Sequence, residues 1–449
     1  MTITTPAPAD ATWPAPLAPA PVRATVVVPG SKSETNRALI LAALADRPSV
    51  IRHGLHSRDT QLMRDALRTL GVQIAETGEQ WLVTPPRTFT AGGTVDCGLA
   101  GTVMRFVPAL AALADGPVHF VGDAQAAARP MAPLLRALDD LGAHVGTEGG
   151  PVLPFTVHGR AGLRGGRVDV DASTSSQYVS ALLLVGARFP DGLEVVHSGP
   201  PVPSLPHIEM TVAMLRERGV VVDDSVPDRW RVEPGPVAAR DVLVEPDLSS
   251  AAPFLAAAAV TGGMVTVPHW PVSTVQPGDL IRDILQAFGA DVTSLDETVT
   301  VRGTDHLHGI DLDLRVASEL TPVVAAVAAL ADTATTIRGV GHIRGHETDR
   351  LAALEVELTA LGSNVSQTED GLVIHPQLLG GAVWHTYADH RLAQAGALIG
   401  LVVPGVELDD VACTAKTLPE FVGLWQQMLT DSETRTEPPG DAPLGEPQP

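Results

Sequence analysis

Six times along this chain an Ala/Leu-rich apolar stretch breaks at Asp, Gly or Pro and resumes as a β-branched run. The stretches are 39–51, 106–120, 182–196, 254–267, 324–337 and 397–408. Their spacing is roughly 70 residues, longer than a solenoid repeat, so each unit must hold several elements. Between them lies a second signal, an amphipathic helical pattern followed by Gly and a strand, at 62–74, 134–145, 214–222, 281–292 and 354–365. Gly71, Gly142, Gly219, Gly289 and Gly362 fall where a helix end needs φ > 0. Each unit therefore reads as strand-helix-strand-helix-strand with an extra strand. Six units predict an α/β chain of two similar lobes, with the candidate boundary at 234–246.

The 449 residues, 45% of them hydrophobic, suffice for two or three cores. A formal net charge of −22 argues against nucleic-acid binding and makes any local cluster of cations informative. Cys97 and Cys413 are too few for a disulfide framework or a structural zinc site, which fits a reducing, cytoplasmic setting. No apolar run approaches the ~18–20 residues of a membrane span. Residues 1–20 read as a flexible leader without signal-peptide features, and 431–449 as a disordered tail.

Lysine occurs only at Lys32 and Lys416, against twenty-eight arginines. An ammonium can lose its proton when desolvated, whereas a guanidinium effectively cannot. Lys32 sits in Gly30-Ser31-Lys32-Ser33-Glu34-Thr35-Asn36-Arg37, after an alternating strand and before a helix expected to begin near Thr35. That is a plausible anion site at a helix N-terminus, without Walker A spacing. Gly98 to Arg105 forms a Gly-rich turn into an apolar helix, suited either to close approach of an anion or to tight packing. Ser173 to Ser176 occupy the equivalent place in the third unit, as caps or as phosphate donors. In the second half, Glu347-Thr348-Asp349-Arg350 and Asp389-His390-Arg391 open two helices. Their arginines either grip an anion or pair locally with Asp. His342, His346 and His390 lie in separate turns without a metal-ligand pattern, so no metal site is expected.

Taken together these motifs, with Arg129-Pro130 and Thr414-Ala415-Lys416-Thr417, resemble the 5-enolpyruvylshikimate-3-phosphate synthases, the 3-phosphoshikimate 1-carboxyvinyltransferases of the shikimate pathway. The resemblance runs from Pro21 to Leu429. It implies two lobes of three βαβαββ units, with a pseudo-threefold arrangement and the active site in the interlobe cleft. One lobe is then 30–243, and the other combines 21–29 with 244–430. The implied reaction moves the enolpyruvyl group of phosphoenolpyruvate to the 5-hydroxyl of shikimate 3-phosphate, releasing phosphate. No metal or organic cofactor, nucleic acid or membrane takes part. A monomer and inhibition by glyphosate, competing with phosphoenolpyruvate, also follow from the resemblance.

Carried over by position, Ser33 and Arg37 hold the shikimate carboxylate, while Ser175, Ser176 and Ser204 hold the 3-phosphate. Lys32, Gly101, Arg129, Gln177, Arg350, Arg391 and Lys416 surround phosphoenolpyruvate, and Lys32, Gln177, Glu319 and His346 also face shikimate 3-phosphate. Glu319, where aspartate is usual, is expected to be the base toward the 5-hydroxyl, and Lys32 is the candidate acid. His346 stands where many relatives have lysine and is the third candidate for proton transfer. His342 replaces a frequent asparagine and His207 a tyrosine, while Leu99 and Phe106 depart from the pattern around Gly101. Two rivals share the architecture: a UDP-N-acetylglucosamine enolpyruvyl transferase and a non-catalytic metabolite-binding relative. Ser33 and Arg37 after Lys32, and the absence of a matching loop cysteine, separate this chain from the first. Retention of every expected cation together with Glu319 separates it from the second.

Overall fold

The computed structural model describes residues 12–147, 149–160 and 162–436. Six helices that are apolar on nearly every face lie inside the molecule: Lys32–Leu44, Gly101–Ala111, Gln177–Gly186, Leu248–Thr261, Thr321–Ala329 and His390–Gly400. A helix without a polar face is stable only when covered all round. The covering comes from sheets and from amphipathic outer helices.

Among the described residues there are five four-stranded sheets and one three-stranded sheet. Every four-stranded sheet has the same pairing, one parallel pair and then two antiparallel partners, and in three of the five an inner helix joins the parallel pair. In one of them Thr94–Asp96 runs parallel to Gly116–Val121, which pairs antiparallel with Phe155–Gly159, itself paired with His144–Thr147. The five glycines singled out above all have positive φ, between 74° and 108°. At each, the following residue bonds back into the last helical turn, as Val72 N to Leu67 O and Ala143 N to Leu138 O do. This closing motif satisfies carbonyls that the helix end would otherwise leave open.

Two hydrophobic cores form. One gathers buried residues from Ala38 to Val244, and the other joins Val22–Val28 to residues from Leu248 to Leu429. The chain crosses between them twice. Arg23–Thr25 pairs parallel with Met264–Pro268 in the second core, and Val242–Leu243 pairs parallel with Ser49–Arg52 in the first. The crossing segments are tied together: Gly30 bridges Pro246, and Ser31 N donates to Glu245 O at 2.7 Å.

Three sequence expectations change. Residues 12–18, read as leader, are bound to the second core: Trp13–Pro14 pairs with Glu407–Leu408, and Ala18 N donates to Leu401 O. Trp13 supplies apolar area that the Pro/Ala composition around it conceals. At the other end the Phe421–Thr436 helix runs into the expected tail, and the Ser432 hydroxyl accepts from Arg23 N at 2.8 Å. Residues 1–11 and 437–449, the rest of the leader and tail, lie outside the described residues. The first inner helix begins at Lys32, three residues earlier than expected, because extended Ser31 caps the Glu34 N–H.

Candidate active site

The N-termini of all six inner helices point into one cavity of about 310 Å³ between the two cores. Each brings a lining residue at its start, Lys32, Gly101, Gln177, Asp247 and Arg391 from the first turn or cap and Glu319 from the 3-10 turn just before the cap Leu320. Unpaired backbone N–H groups and the aligned peptide dipoles make such ends attractive to anions, and six are focused here. Within a chain of charge −22, this cavity is a local exception.

The wall from the first core offers hydroxyls and turn backbone beside Lys32, Arg105 and Arg129. Ser33, Ser175, Ser176 and Ser204 line it beside Gln177. Ser176 precedes the Gln177–Gly186 helix without a side-chain cap bond, whereas the Ser175 hydroxyl accepts from Gln177 N at 3.3 Å. Ser204 is held at φ 51°, and its hydroxyl reaches across to Ser318 of the other wall at 3.2 Å. At Gly101 an added Cβ would stand 2.9 Å from an Arg105 guanidinium nitrogen and 3.1 Å from one of Arg129. The missing side chain is what lets both guanidiniums lie against this helix start.

The wall from the second core is ionic. Arg350 is 3% exposed, with its Nε and Nη2 donating to the Asp389 carboxylate at 2.7 and 3.1 Å. Arg391 Nη1 donates to Ser249 O at 2.7 Å and to Gln394. Lys416 does not line the cavity; it lies one residue behind, with Nζ 2.5 Å from Glu347 Oε1. Glu347 is the shared counter-ion of this wall, 3.0 Å from Arg350 and 3.9 Å from Arg129 of the opposite wall. Burial alone would raise its pKa, but Lys416, Arg350 and Arg129 hold the carboxyl well below the usual range. Burial lowers Lys416, with Glu347 opposing the shift.

Lys32 Nζ reaches the buried Asp59 carboxylate at 3.3 Å. Glu319 accepts from the Ser249 hydroxyl at 3.4 Å and lies 3.9 Å from His207 Nε2. Burial raises the Glu319 pKa, helped by Asp247, so this carboxyl holds its proton above the usual range. Burial and neighbouring cations keep the cavity histidines neutral. His207 is pushed down to about 3 and His342 to about 4, while His346 and His390 lie well below the ordinary value. Arg350 Nη1 donates to His346 Nδ1 at 3.1 Å, which leaves the imidazole proton on Nε2.

Of the fourteen residues expected at the site, twelve line the cavity, and Lys416 sits directly behind it. Arg37 does not join them. Its guanidinium, 1% exposed, donates to Thr211 Oγ1, Ser33 O, Ser180 Oγ and His207 O, and stacks on Phe106 at 5.2 Å. Arg37 is six residues into its helix and faces the core, so it supports Ser33 through the backbone instead of facing a ligand. Functional residues were also missed, Asp247 of the lining among them. Glu347 and Asp389 lay inside motifs read for their arginines, Arg105 looked like ordinary helix composition, and Asp59 had no signal at all. Among the described residues no cluster of His, Cys, Asp and Glu could hold a metal.

An α/β molecule with two cores and a cationic cleft between them is the enolpyruvyl transferase architecture. The fold is similar to an EPSP synthase structure from Acinetobacter baumannii, with TM-score 0.77 and 24% identity over 93% of this chain and 97% of that one. It is also similar to the enolpyruvyl transferase NikO from Streptomyces tendae, with TM-score 0.72 and 18% identity over 92% and 96% of the two chains. The family model for EPSP synthase (3-phosphoshikimate 1-carboxyvinyltransferase) matches residues 17–425, and the chain belongs to that family. Its reaction is the transfer of the enolpyruvyl group from phosphoenolpyruvate to shikimate 3-phosphate.

Proposed function

We propose that the serine hydroxyls bind shikimate 3-phosphate and that cations from both walls bind phosphoenolpyruvate. The observation that carries this reading is the convergence of Lys32, Arg129, Arg350 and Arg391 with Glu319 around one cavity in an acidic chain. Ser175, Ser176 and Ser204 would take the 3-phosphate, Ser33 the shikimate carboxylate, and Gln177 would lie between the two ligands. Arg350 and Arg391 would hold phosphoenolpyruvate with Arg129 and Lys32, while Lys416 acts through Glu347. The two lobes of the reading are 30–243 and 21–29 with 244–430, which the two separate cores support. All of these groups come from one chain, in keeping with a working monomer. Two free cysteines fit a cytoplasmic location.

In the addition step the 5-hydroxyl oxygen bonds to C2 of phosphoenolpyruvate, its proton passes to a base, and C3 takes up a proton to become a methyl group. In elimination the methyl loses a proton, the C2–O bond to phosphate breaks, and the enol ether forms. Glu319, with its raised pKa, suits a group that accepts the hydroxyl proton and returns it. Lys32 supplies a movable proton in a way no guanidinium matches. His346 serves through its Nε2–H as a neutral donor, because Arg350 occupies Nδ1. Holding both ligands in register accounts for much of the expected acceleration.

A phosphate-release assay tests the reading directly. Release that requires both shikimate 3-phosphate and phosphoenolpyruvate is expected. Release with UDP-N-acetylglucosamine in place of shikimate 3-phosphate, or none with either acceptor, would overturn it.

A further inference from the structure

Asp389 is fully buried and does two jobs with one carboxylate. It receives the Arg350 guanidinium through both oxygens, and Oδ1 also accepts from Arg391 N at 2.9 Å, capping the helix that carries Arg391. The placement of two cavity guanidiniums thus depends on where the backbone puts Asp389.

That backbone is strained. Tyr387 and Ala388, the two residues before Asp389, both have φ of 54° and neither is glycine. A left-handed residue with a Cβ costs roughly 1–3 kcal/mol and persists only where its surroundings enforce it. Two buried carboxylates outside the cavity lining do the enforcing. Glu357 Oε1 accepts from the Tyr387 hydroxyl at 2.7 Å, while Oε2 accepts from His385 N at 2.8 Å. Asp409 Oδ1 accepts from both the backbone N–H and the hydroxyl of Thr386 at 2.9 Å, while Oδ2 meets His385 Nδ1 at 3.0 Å. Glu357 and Arg350 stand on the same helix, Arg350–Ala360, two turns apart. A closed ring results: the helix presents Arg350, Glu357 fixes Tyr387, and Tyr387 leads through Ala388 to Asp389, which returns to Arg350.

We infer that Glu357, Tyr387 and Asp409 are positioning residues for phosphoenolpyruvate, clamping a strained loop so that Asp389 aims Arg350 and Arg391 into the cavity. The inference rests on the proposed function, since it takes these two arginines as contacts of that substrate. A clamp serving only the packing of the Val383–Trp384 sheet edge would leave both KM values alone. A clamp that aims the arginines changes one of them. The second role fits because the loop ends on Asp389, which itself holds Arg350 and caps the helix of Arg391.

The test measures both KM values, kcat and Tm for Tyr387→Phe, Ala388→Gly, Arg350→Lys and the Tyr387→Phe/Arg350→Lys double variant. Tyr387→Phe keeps the ring and deletes only the bond to Glu357. It should raise KM for phosphoenolpyruvate about fivefold while KM for shikimate 3-phosphate stays within about twofold. Ala388→Gly keeps every hydrogen bond and frees the backbone; it should raise the same KM without lowering Tm, and it decides the matter if Tyr387→Phe folds poorly. Arg350→Lys should have the largest effect, and adding Tyr387→Phe to it should raise KM by a smaller factor than Tyr387→Phe does alone, because only the share passed through Arg391 remains. If Arg350→Lys raises KM for phosphoenolpyruvate while Tyr387→Phe and Ala388→Gly change only Tm, or shift both KM values equally, the clamp is refuted and the site reading survives. If Arg350→Lys leaves KM for phosphoenolpyruvate unchanged, the site reading fails and the clamp with it.

Discussion

Arg37 and Arg391 both belong to inner helices whose N-termini face the same cavity, yet they end in opposite environments. Arg391 is the second residue of His390–Gly400 and lines the cavity. Arg37 is the sixth residue of Lys32–Leu44, and its guanidinium is spent on hydroxyls and carbonyls of the first core. The two walls differ as well. One offers its hydroxyls with Lys32, Arg105 and Arg129, whereas the other offers Arg350, held by Glu347 and Asp389, and Arg391. Arg391 reaches the cavity from the first turn, where its side chain clears the neighbouring elements. Arg37, one and a half turns in, is part of the packing.

The largest effect should come from Lys32→Met. Removing the one ammonium in the cavity lining should lower kcat by about 10³-fold while the circular dichroism spectrum stays native. Retained turnover would refute the role of Lys32. Glu319→Gln should also cost about 10²-fold or more in kcat, and it carries a stability signature of known sign. Burial raises this carboxyl, so its folded form holds the proton over a window where the unfolded form does not. That stability is complete below the unfolded carboxyl pKa and is lost as pH rises through the higher folded value. Glu319→Gln should therefore gain Tm relative to the parent at pH 8 but not at pH 4, and the opposite trend would contradict the assignment.

The contrast between the two arginines can be broken directly. Arg391→Lys should raise KM for phosphoenolpyruvate by about tenfold or more with little change in Tm, since it removes charge-assisted contacts to a ligand. Arg37→Lys should instead lose about 1–3 kcal/mol in denaturant unfolding, because buried acceptors lose their donors. A result in which Arg37→Lys changes KM for shikimate 3-phosphate more than stability would return it to the binding site. The smallest effect expected is at Gly101. A methyl there must push aside Arg105 and Arg129, so Gly101→Ala should raise KM for phosphoenolpyruvate a few-fold. It should weaken glyphosate at least as much, measured as the inhibition constant against phosphoenolpyruvate.

Much of the architecture was legible because it repeats. The glycines after the outer helices marked those ends correctly, since a left-handed residue there is a local requirement that any reader of the chain can see. The six inner helices were visible as stretches too apolar for a surface. Residues 12–18 were misread because their fate depends on pairing with a strand almost 400 residues away, and nothing near Trp13 announces it.

The chain itself, without coordinates, determines the repeat, the scarcity of lysine and the run of helix-opening motifs, because each is a matter of local spacing and residue chemistry. Only the tertiary structure decides that six helix starts share one cavity, that Arg37 faces inward, and that Glu347, Asp59 and Asp389 are the counter-ions. Electrostatic roles depend on distance in space and on exclusion of water. A carboxylate's partners, unlike its helix, leave no period in the sequence.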